Sequence, residues 1–425
     1  MVNQKMTEPI RLKNKHVVLL LQGGGALGAY QVGAFKALHE LCQREEASVD
    51  WVGGISIGAV NAAVIAGPKC KDPLEELKKL WNDLLMRCPP LDWQQMWASL
   101  PPFIQKGYGW LGELGPKYCD WTWTAFNPLG QMNFFTSRVL NPLENPWSTQ
   151  WFSPEAPQDL AFCDTRPLRR TLNEHVDWTA INRPGARRLS LGASRVRDGE
   201  VVFFNSFRSE NPEWGPKTIT VEHVMASGAL PPGFPAIQVE GEWYWDGGLS
   251  TNTPIEALEA DLTADVSKDT VVFLVDLWDR KGAIPRSLDE VIWRQKSIQY
   301  GSRRDAAASV VERHELKVAA GRVPARCLEV CQVMLERPVD DPHPQFSLAD
   351  ADFARTAFDE LKDLGYRDMR TAILQATPVP GIGGKYAILY RHGTFGKHAA
   401  TDTKYAAARR REEQRMLAWK RRQAA

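Results

Sequence analysis

The chain has 425 residues, 44% hydrophobic and 24% charged, ordinary for a folded protein and long enough for one large α/β domain with additions or for two domains. A net charge of +1 excludes a global electrostatic attraction to nucleic acid, and no apolar stretch approaches the roughly 20 residues needed to span a bilayer. Seven scattered cysteines (Cys42, Cys70, Cys88, Cys119, Cys163, Cys327, Cys331) lack zinc-finger spacing and fit a reducing, cytoplasmic compartment better than a disulfide framework.

Lys5, Arg11, Lys13 and Lys15 precede an apolar run that ends near Gly28, which imitates a secretory signal. Cleavage there would discard the first strand and the glycine loop after it, so the run is expected to be mature structure. His16-Val17-Val18-Leu19-Leu20-Leu21 reads as a strand buried on both faces. It ends in Gln22-Gly23-Gly24-Gly25-Ala26-Leu27-Gly28, followed by a helical pattern with Tyr30, Val32, Phe35 and Leu38. Consecutive glycines between a strand and a helix leave backbone N–H groups that can converge on one anion.

Two chemistries use such a cradle. Gly23-x-Gly25-x-x-Gly28 fits the dinucleotide fingerprint, which needs an acidic residue about 20 positions on, at the end of the second strand. Asp50 stands at the start of that strand instead. The other chemistry is an oxyanion hole, with N–H donors aimed at a tetrahedral acyl intermediate. It fits better, because the next strand delivers a nucleophile to the same edge of the sheet.

That strand, Val49 to Gly53, runs into Gly54-Ile55-Ser56-Ile57-Gly58 and then the small-residue helix pattern Ala59-Val60-Asn61-Ala62-Ala63-Val64. G-x-S-x-G between strand and helix is the context in which a serine is held on a sharp elbow with its hydroxyl exposed. The turn also sets Ser56 at a helix N-terminus, where developing negative charge is favoured. Glycine-flanked serines occur in ordinary turns too; the strand–turn–helix setting favours the nucleophile.

Asp72 to Trp81 reads as a helix with Pro73 in its first turn. From about 81 to 151 the chain turns dense in tryptophan and proline (Trp93, Trp97, Trp110, Trp121, Trp123, Trp147). This insertion either packs its aromatics on the body or forms a lid or acyl-chain channel, and its amphipathic tryptophans also suit peripheral membrane contact. Arg187 to Ala193 and Glu200 to Asn205 read as strands joined through Arg197-Asp198-Gly199. A strand-like run, Ala236 to Val239, then precedes Trp243-Tyr244-Trp245-Asp246-Gly247-Gly248. An aspartate before two glycines can be a plain turn; at the end of a hairpin it becomes a fixed carboxylate able to take a proton. Thr270 to Asp276 reads as another buried strand, Ser287 to Ala320 and Ala349 to Ala376 as helical, and Cys327 to Leu335 as a strand carrying core thiols. Strands alternating with helices imply an α/β layered fold with a central, largely parallel sheet flanked by helices.

The glycine loop, then G-x-S-x-G, then D-G-G, in that order, resembles the patatin-like phospholipase family, and so do Ala226-Ser227-Gly228-Ala229-Leu230-Pro231-Pro232-Gly233-Phe234-Pro235 and the stretch from Asp246 to Pro254. The resemblance implies a lipid acyl hydrolase using a Ser–Asp dyad without histidine. Ser56 is then the nucleophile, Asp246 the proton acceptor, and Gly23, Gly24, Gly25, Ala26 and Gly28 the oxyanion loop. Gly54, Gly58, Gly247 and Gly248 support the motifs, and no metal or cofactor is implied. Many relatives carry a basic residue between the loop glycines; here Ala26 and Leu27 stand there, so backbone N–H groups must suffice.

The implied partner is a lipid ester. The expected organisation is a lead over 1–15, a catalytic region over 16–255 containing the insertion, a continuation of the α/β body over 256–376, and an extension over 377–425. That extension ends in a basic tail, Lys397 to Arg422, which is either a solvated segment or a device for peripheral membrane contact. No reading motif for nucleic acid accompanies it. The rival enzyme is an α/β-hydrolase with a Ser–Asp–His triad, for which His314, His343 and His392 lie in suitable chain order. His314, in Glu312-Arg313-His314-Glu315, reads as part of a solvent-facing helix surface. A non-catalytic lipid- or protein-binding module is the remaining reading, and the intact motifs weigh against it.

Overall fold

Strand β1 (His16–Leu21) runs through the middle of a ten-stranded sheet in the computed structural model, which describes residues 10–85, 133–138, 157–261, 268–282, 284–303, 305–336 and 349–393. Its neighbours are β2 (Trp51–Ile55) and β9 (Thr270–Asp276), both parallel to it, with Val18 opposite Trp51 and His16 opposite Thr270. Outward from β9 come β10 (Leu328–Met334) and β12 (Ala387–Gly393), also parallel, then β11 (Pro378–Gly383), antiparallel at the edge. Outward from β2 come β5 (Arg188–Arg195), parallel, and then β8 (Glu242–Asp246) and β7 (Ile237–Val239), antiparallel. Strand β6 (Val201–Asn205) also pairs with β5, and β3 (Thr136–Ser137) and β4 (Cys163–Asp164) form a separate small ribbon.

The continuous apolar sequence of β1 follows from this position. Side chains alternate across a strand, so Val17, Leu19 and Leu21 enter one core while Val18 and Leu20 enter the other. The first core is closed by α1 (Ala29–Arg44), α2 (Ile57–Ala66), α3 (Pro73–Leu84) and α10 (Arg355–Leu374). The second is closed by α7 (Ile255–Asp261) and α9 (Ala306–Ala319), through Leu258, Val310 and Val311. Three short helices complete the body: α4 (Arg166–His175), α5 (Trp178–Ile181) and α6 (Val221–Ser227). A further helix, α8 (Leu288–Tyr300), lies beyond β9. The result is the layered α/β fold the sequence implies, largely parallel at its centre.

Two strand expectations are met in detail. Residues 188–205 form the β5–β6 pair, and β7 and β8 form a hairpin whose turn residues, Glu240 and Gly241, both have positive φ (51° and 90°), as a two-residue hairpin turn requires. Other expectations need correction. The extension expected from 377 contributes β11 and β12, because Ala387, Leu389 and Gly393 alternate inward and continue the sheet. The helical stretch from Ser287 to Ala320 is two helices, interrupted after Tyr300 at Gly301. Cys331 is a core thiol, but Cys327, just ahead of β10, is only half-buried. The six tryptophans of the insertion, His343 and the basic tail lie outside the described residues. The short described piece of the insertion packs Phe134 against Phe234 and Phe353, at ring centroid distances of 5.8 and 5.3 Å.

Candidate active site

Sheet register brings the elbow and the aspartate together. Strands β2 and β8 both pair with β5, while β6 pairs with it over the whole of Ser190 to Ser194, so β6 takes one edge of β5 and β2 and β8 share the other. Along that shared edge Ile55 sits opposite Gly192 and Asp246 opposite Ala193. The last residue of β2 and the last residue of β8 therefore meet head to head at consecutive positions of β5. Ser56 follows one and Asp246 closes the other, so the serine hydroxyl comes beside the buried carboxyl and works against the rise in its pKa.

Ser56 has φ 54° and ψ −127°, a backbone conformation that costs a side-chain-bearing residue on the order of 1–3 kcal/mol. The surroundings hold it there. A Cβ built on Gly54 would strike the carbonyl of Gly58, and one on Gly58 would strike the carbonyl of Leu21, so the elbow has no room for side chains at either flank. The Ser56 N–H donates to both the carbonyl oxygen and Oγ of Ser227, each at 3.1 Å. Ser227, fully buried at the end of α6, donates its hydroxyl to the Gly192 carbonyl at 2.6 Å. The Ser56 backbone is thus tied to β5, the strand that also aligns Asp246.

Asp246 is 2% exposed. Its N–H donates to the Ala229 carbonyl at 2.9 Å, and its Oδ1 accepts the Gly248 N–H at 2.7 Å. Burial pushes the carboxyl up from 3.8 to about 6, against the opposite pull of the Ser56 hydroxyl and of the Gly248 N–H. Gly247 lies against the Gly192 carbonyl, 2.6 Å from where a Cβ would stand, which closes the turn onto β5. Asp246 therefore holds a proton more readily than an exposed aspartate does, at the point where β8 meets β2 on β5.

The glycine loop flanks the same serine: a Cβ on Gly23 would lie 3.0 Å from Ser56 Cβ. The Gly23 N–H, however, donates to the Asn252 carbonyl at 3.2 Å, which removes it from the set of anion donors expected from the sequence. Its carbonyl accepts from Asn252 Nδ2 at 3.0 Å and Trp278 Nε1 at 2.8 Å. Gly28 packs on Ile57 and Trp81 at the start of α1. The N–H groups of Gly24, Gly25 and Ala26 meet no acceptor among the described residues. Gly25 has φ 54°, and a Cβ there would collide with the main-chain oxygen of Asp350, so only glycine fits.

Beneath the loop runs a buried polar network. Gln22 Nε2 donates to Thr253 Oγ1 (3.0 Å) and the Tyr300 carbonyl (3.1 Å), while its Oε1 accepts from the Leu277 N–H (2.6 Å). The Gln22 carbonyl accepts from Gln31 Nε2, Gln31 Oε1 from Asn61 Nδ2, and Asn61 Oδ1 from Trp81 Nε1. Loop, α1, α2 and α3 are thus joined by satisfied polar groups, an arrangement that fixes geometry when complete. Sequence reasoning assigned no role to Gln22, Ser227, Asn252 or Trp278. A signal existed for Gln22, a polar residue closing an otherwise apolar strand; the others act across 170 residues or more.

The histidines of the rival triad go elsewhere. His314 is buried, not solvent-facing, and its Nε2 lies 3.0 Å from the Arg326 carbonyl, at the N-terminal end of the parallel strands and so opposite the elbow. His392 lies on β12, four strands from β2, which is about 19 Å at the usual strand spacing. His343 lies outside the described residues. Asp50, the acidic residue of the dinucleotide reading, accepts the Val17 N–H at 2.9 Å at the far end of β1 from the glycine loop. Among the described residues no three His, Cys, Asp or Glu side chains gather as a metal site, and no helix is long and apolar enough to cross a membrane.

One edge of the α/β sheet thus presents a serine at positive φ, a buried carboxyl and a glycine loop. A family model described as patatin-like phospholipase matches residues 19–259, more than half of the chain, and the chain belongs to that family of lipid acyl hydrolases. Solved structures with likeness to it include VipD from Legionella pneumophila, 15% identical over 85% of this chain and 71% of that one, with a TM-score of 0.31. The type III effector ExoU is 14% identical over 85% of this chain and 54% of its own, with a TM-score of 0.24. ExoU in its complex with SpcU, from Pseudomonas aeruginosa, gives 15% identity over 68% and 50%, with a TM-score of 0.23. At TM-scores of that size none of them bears on the reading below. No curated protein matches the chain.

Proposed function

We propose that the chain cleaves carboxylic esters of lipids through a Ser56–Asp246 dyad and an acyl-enzyme. The observation that carries this reading is the sheet register that brings the buried Asp246 carboxyl next to a serine held at positive φ. Ser56 Oγ attacks the ester carbonyl as its proton passes to Asp246. The carbonyl oxygen, now negative, is met by the N–H groups of Gly24, Gly25 and Ala26, and the N-terminus of α2 adds favourable potential. The intermediate collapses, the C–O bond to the alcohol breaks, and Asp246 returns the proton to the leaving oxygen. A water then gives its proton to Asp246 and adds to the acyl carbon; collapse restores the Ser56 hydroxyl and releases the acid. The supporting sets are Gly54 and Gly58 at the elbow, and Gly247 and Gly248 behind the aspartate.

Phospholipid, lysophospholipid and neutral glyceride all present an ester to this machinery. Hydrolysis of a chain-length series of nitrophenyl esters tests the dyad. Wild type and a His314→Ala/His343→Ala/His392→Ala variant are expected to be active, and Ser56→Ala and Asp246→Asn inactive. Loss in the histidine variant with its fold intact would mean a triad enzyme.

A further inference from the structure

Helix α8 is apolar on two opposite sides. One side turns Trp293, Ser297 and Tyr300 toward the core, where the rings of Trp293 and Tyr300 meet Trp278 at centroid distances of 5.2 and 5.1 Å. Trp278 and Tyr300 are among the groups that hold the glycine loop, through the Gly23 carbonyl and Gln22. At 100° per residue the other side carries Leu288, Val291, Ile292 and Ile298 in one stripe, and all four are exposed, Leu288 by 76%. Ile284, just ahead of the helix, is 87% exposed. Nine large hydrophobic side chains are exposed among the described residues, and five of them fall in this one stretch. Single exposed apolar residues are ordinary; a contiguous stripe marks a surface made for contact.

Charge indicates what is contacted. Residues 279–304 hold seven Lys or Arg against three Asp or Glu, in a chain whose net charge is only +1. Lys281 and Arg286, both exposed, bracket Ile284, and exposed Arg303 follows the C-terminal end of the helix. Arg280, Lys296 and Arg303 are paired with Asp305, Asp350 and Glu256. An aliphatic stripe bordered by basic residues is the pattern of a helix lying in a membrane interface.

We infer that this face of α8 seats the protein on an anionic lipid bilayer, with Ile284, Leu288, Val291, Ile292 and Ile298 entering the headgroup–acyl boundary. The choice of a bilayer rests on the lipid-ester reading. Because the inner side of the same helix holds the glycine loop, seating it brings the dyad to where a water-insoluble ester resides.

The test uses the full chain and vesicles of phosphatidylcholine with and without phosphatidylglycerol, followed by sedimentation. A Leu288→Ser/Ile292→Ser/Ile298→Ser variant is expected to lose at least about tenfold in partitioning to the anionic vesicles, from the apolar area withdrawn. A Leu288→Trp/Ile298→Trp variant keeps or strengthens binding, because tryptophan favours the interface, and a general folding defect would not reverse sign between the two. Hydrolysis of a soluble short-chain ester stays as in wild type for both, while hydrolysis of vesicle lipid falls in the serine variant. Unchanged vesicle binding in the serine variant, or no wild-type binding, overturns the inference and leaves the stripe to a protein partner. A wild-type dimer that the serine variant dissolves overturns it in favour of a second copy. If wild type fails on the soluble ester, the hydrolase reading fails, and the binding comparison still judges the surface by itself.

Discussion

Asp246→Asn is expected to remove activity and add stability, with the gain depending on pH. A buried carboxyl that titrates at about 6 instead of 3.8 favours its neutral form. At 1.36 kcal/mol per pH unit this amounts to about 3 kcal/mol. Because the pKa is raised, the folded state binds the extra proton between pH 3.8 and 6. The stabilising contribution is complete below 3.8 and is lost as pH rises through 6. At pH 8 wild type therefore carries an ionised, buried carboxylate, while asparagine is neutral and keeps an oxygen for the Gly248 N–H. The variant should then be more stable by about 3 kcal/mol, which for a chain of this length is a rise in melting temperature of about 3 °C. Near pH 4 the two proteins should melt together. Comparing variant with wild type cancels other buried titrations, notably His223, which burial pushes down to about 4 and which destabilises the fold as pH falls from 6.5. Hydrolysis of a nitrophenyl ester should fall by about 10²–10⁴-fold in the variant. A melting-temperature difference that is negative, or the same at pH 4 and pH 8, would refute the account of Asp246 as a carboxyl held against its solvation preference.

The same carboxyl sets the pH profile: kcat/KM for a neutral ester should rise through about pH 6 and level off above it, and a profile flat from pH 5 to 8 would remove Asp246 as the base. Ser56→Gly and Ser56→Ala should both be inactive, with the glycine variant about 1 kcal/mol more stable in urea titration because only glycine is at ease at φ 54°; equal stabilities would mean the elbow stores no strain. Gly25→Ala should lose activity and melt earlier, by about 2 kcal/mol, since its Cβ meets the main-chain oxygen of Asp350. Ser227→Ala should lower kcat by about tenfold with little change in KM, as the Gly192 carbonyl loses its donor and the Ser56 N–H one of its two acceptors; a change confined to KM would give Ser227 a substrate role instead.

Sequence gave access to the parts whose constraints are local. Gly54 and Gly58 are legible because each meets a main-chain carbonyl at its Cα, and any side chain there breaks the elbow. The two-faced burial of β1 shows in its unbroken apolar run, and the β7–β8 hairpin in its Gly241 turn. What was not legible acts over distance. Ser227 reaches Ser56 across 171 positions and Gln22 reaches Leu277 across 255. No periodicity encodes such pairs. His314 was misread for a related reason: charged neighbours in the chain suggested solvent, whereas helix geometry turns that one position onto the Arg326 carbonyl. The family match ends at residue 259, yet β9, next to β1 at the centre of the sheet, begins at Thr270. A reading confined to the matched span therefore leaves β1 without one of its two partners.

The head-to-head meeting of β2 and β8 on β5 places the two residues of the proposed dyad in regions of unequal permanence. Ser56 is carried by a strand flanked on both sides within the parallel centre, whereas Asp246 arrives on an edge hairpin of eight paired or strand-end residues outside that centre. Edge elements open more often than central ones under native conditions, and amide exchange reads those openings one residue at a time. Asp246 thus leaves before Ser56 whenever the hairpin detaches. If the two act as the proposed dyad, activity on warming is expected to fail with this ribbon before the fold melts.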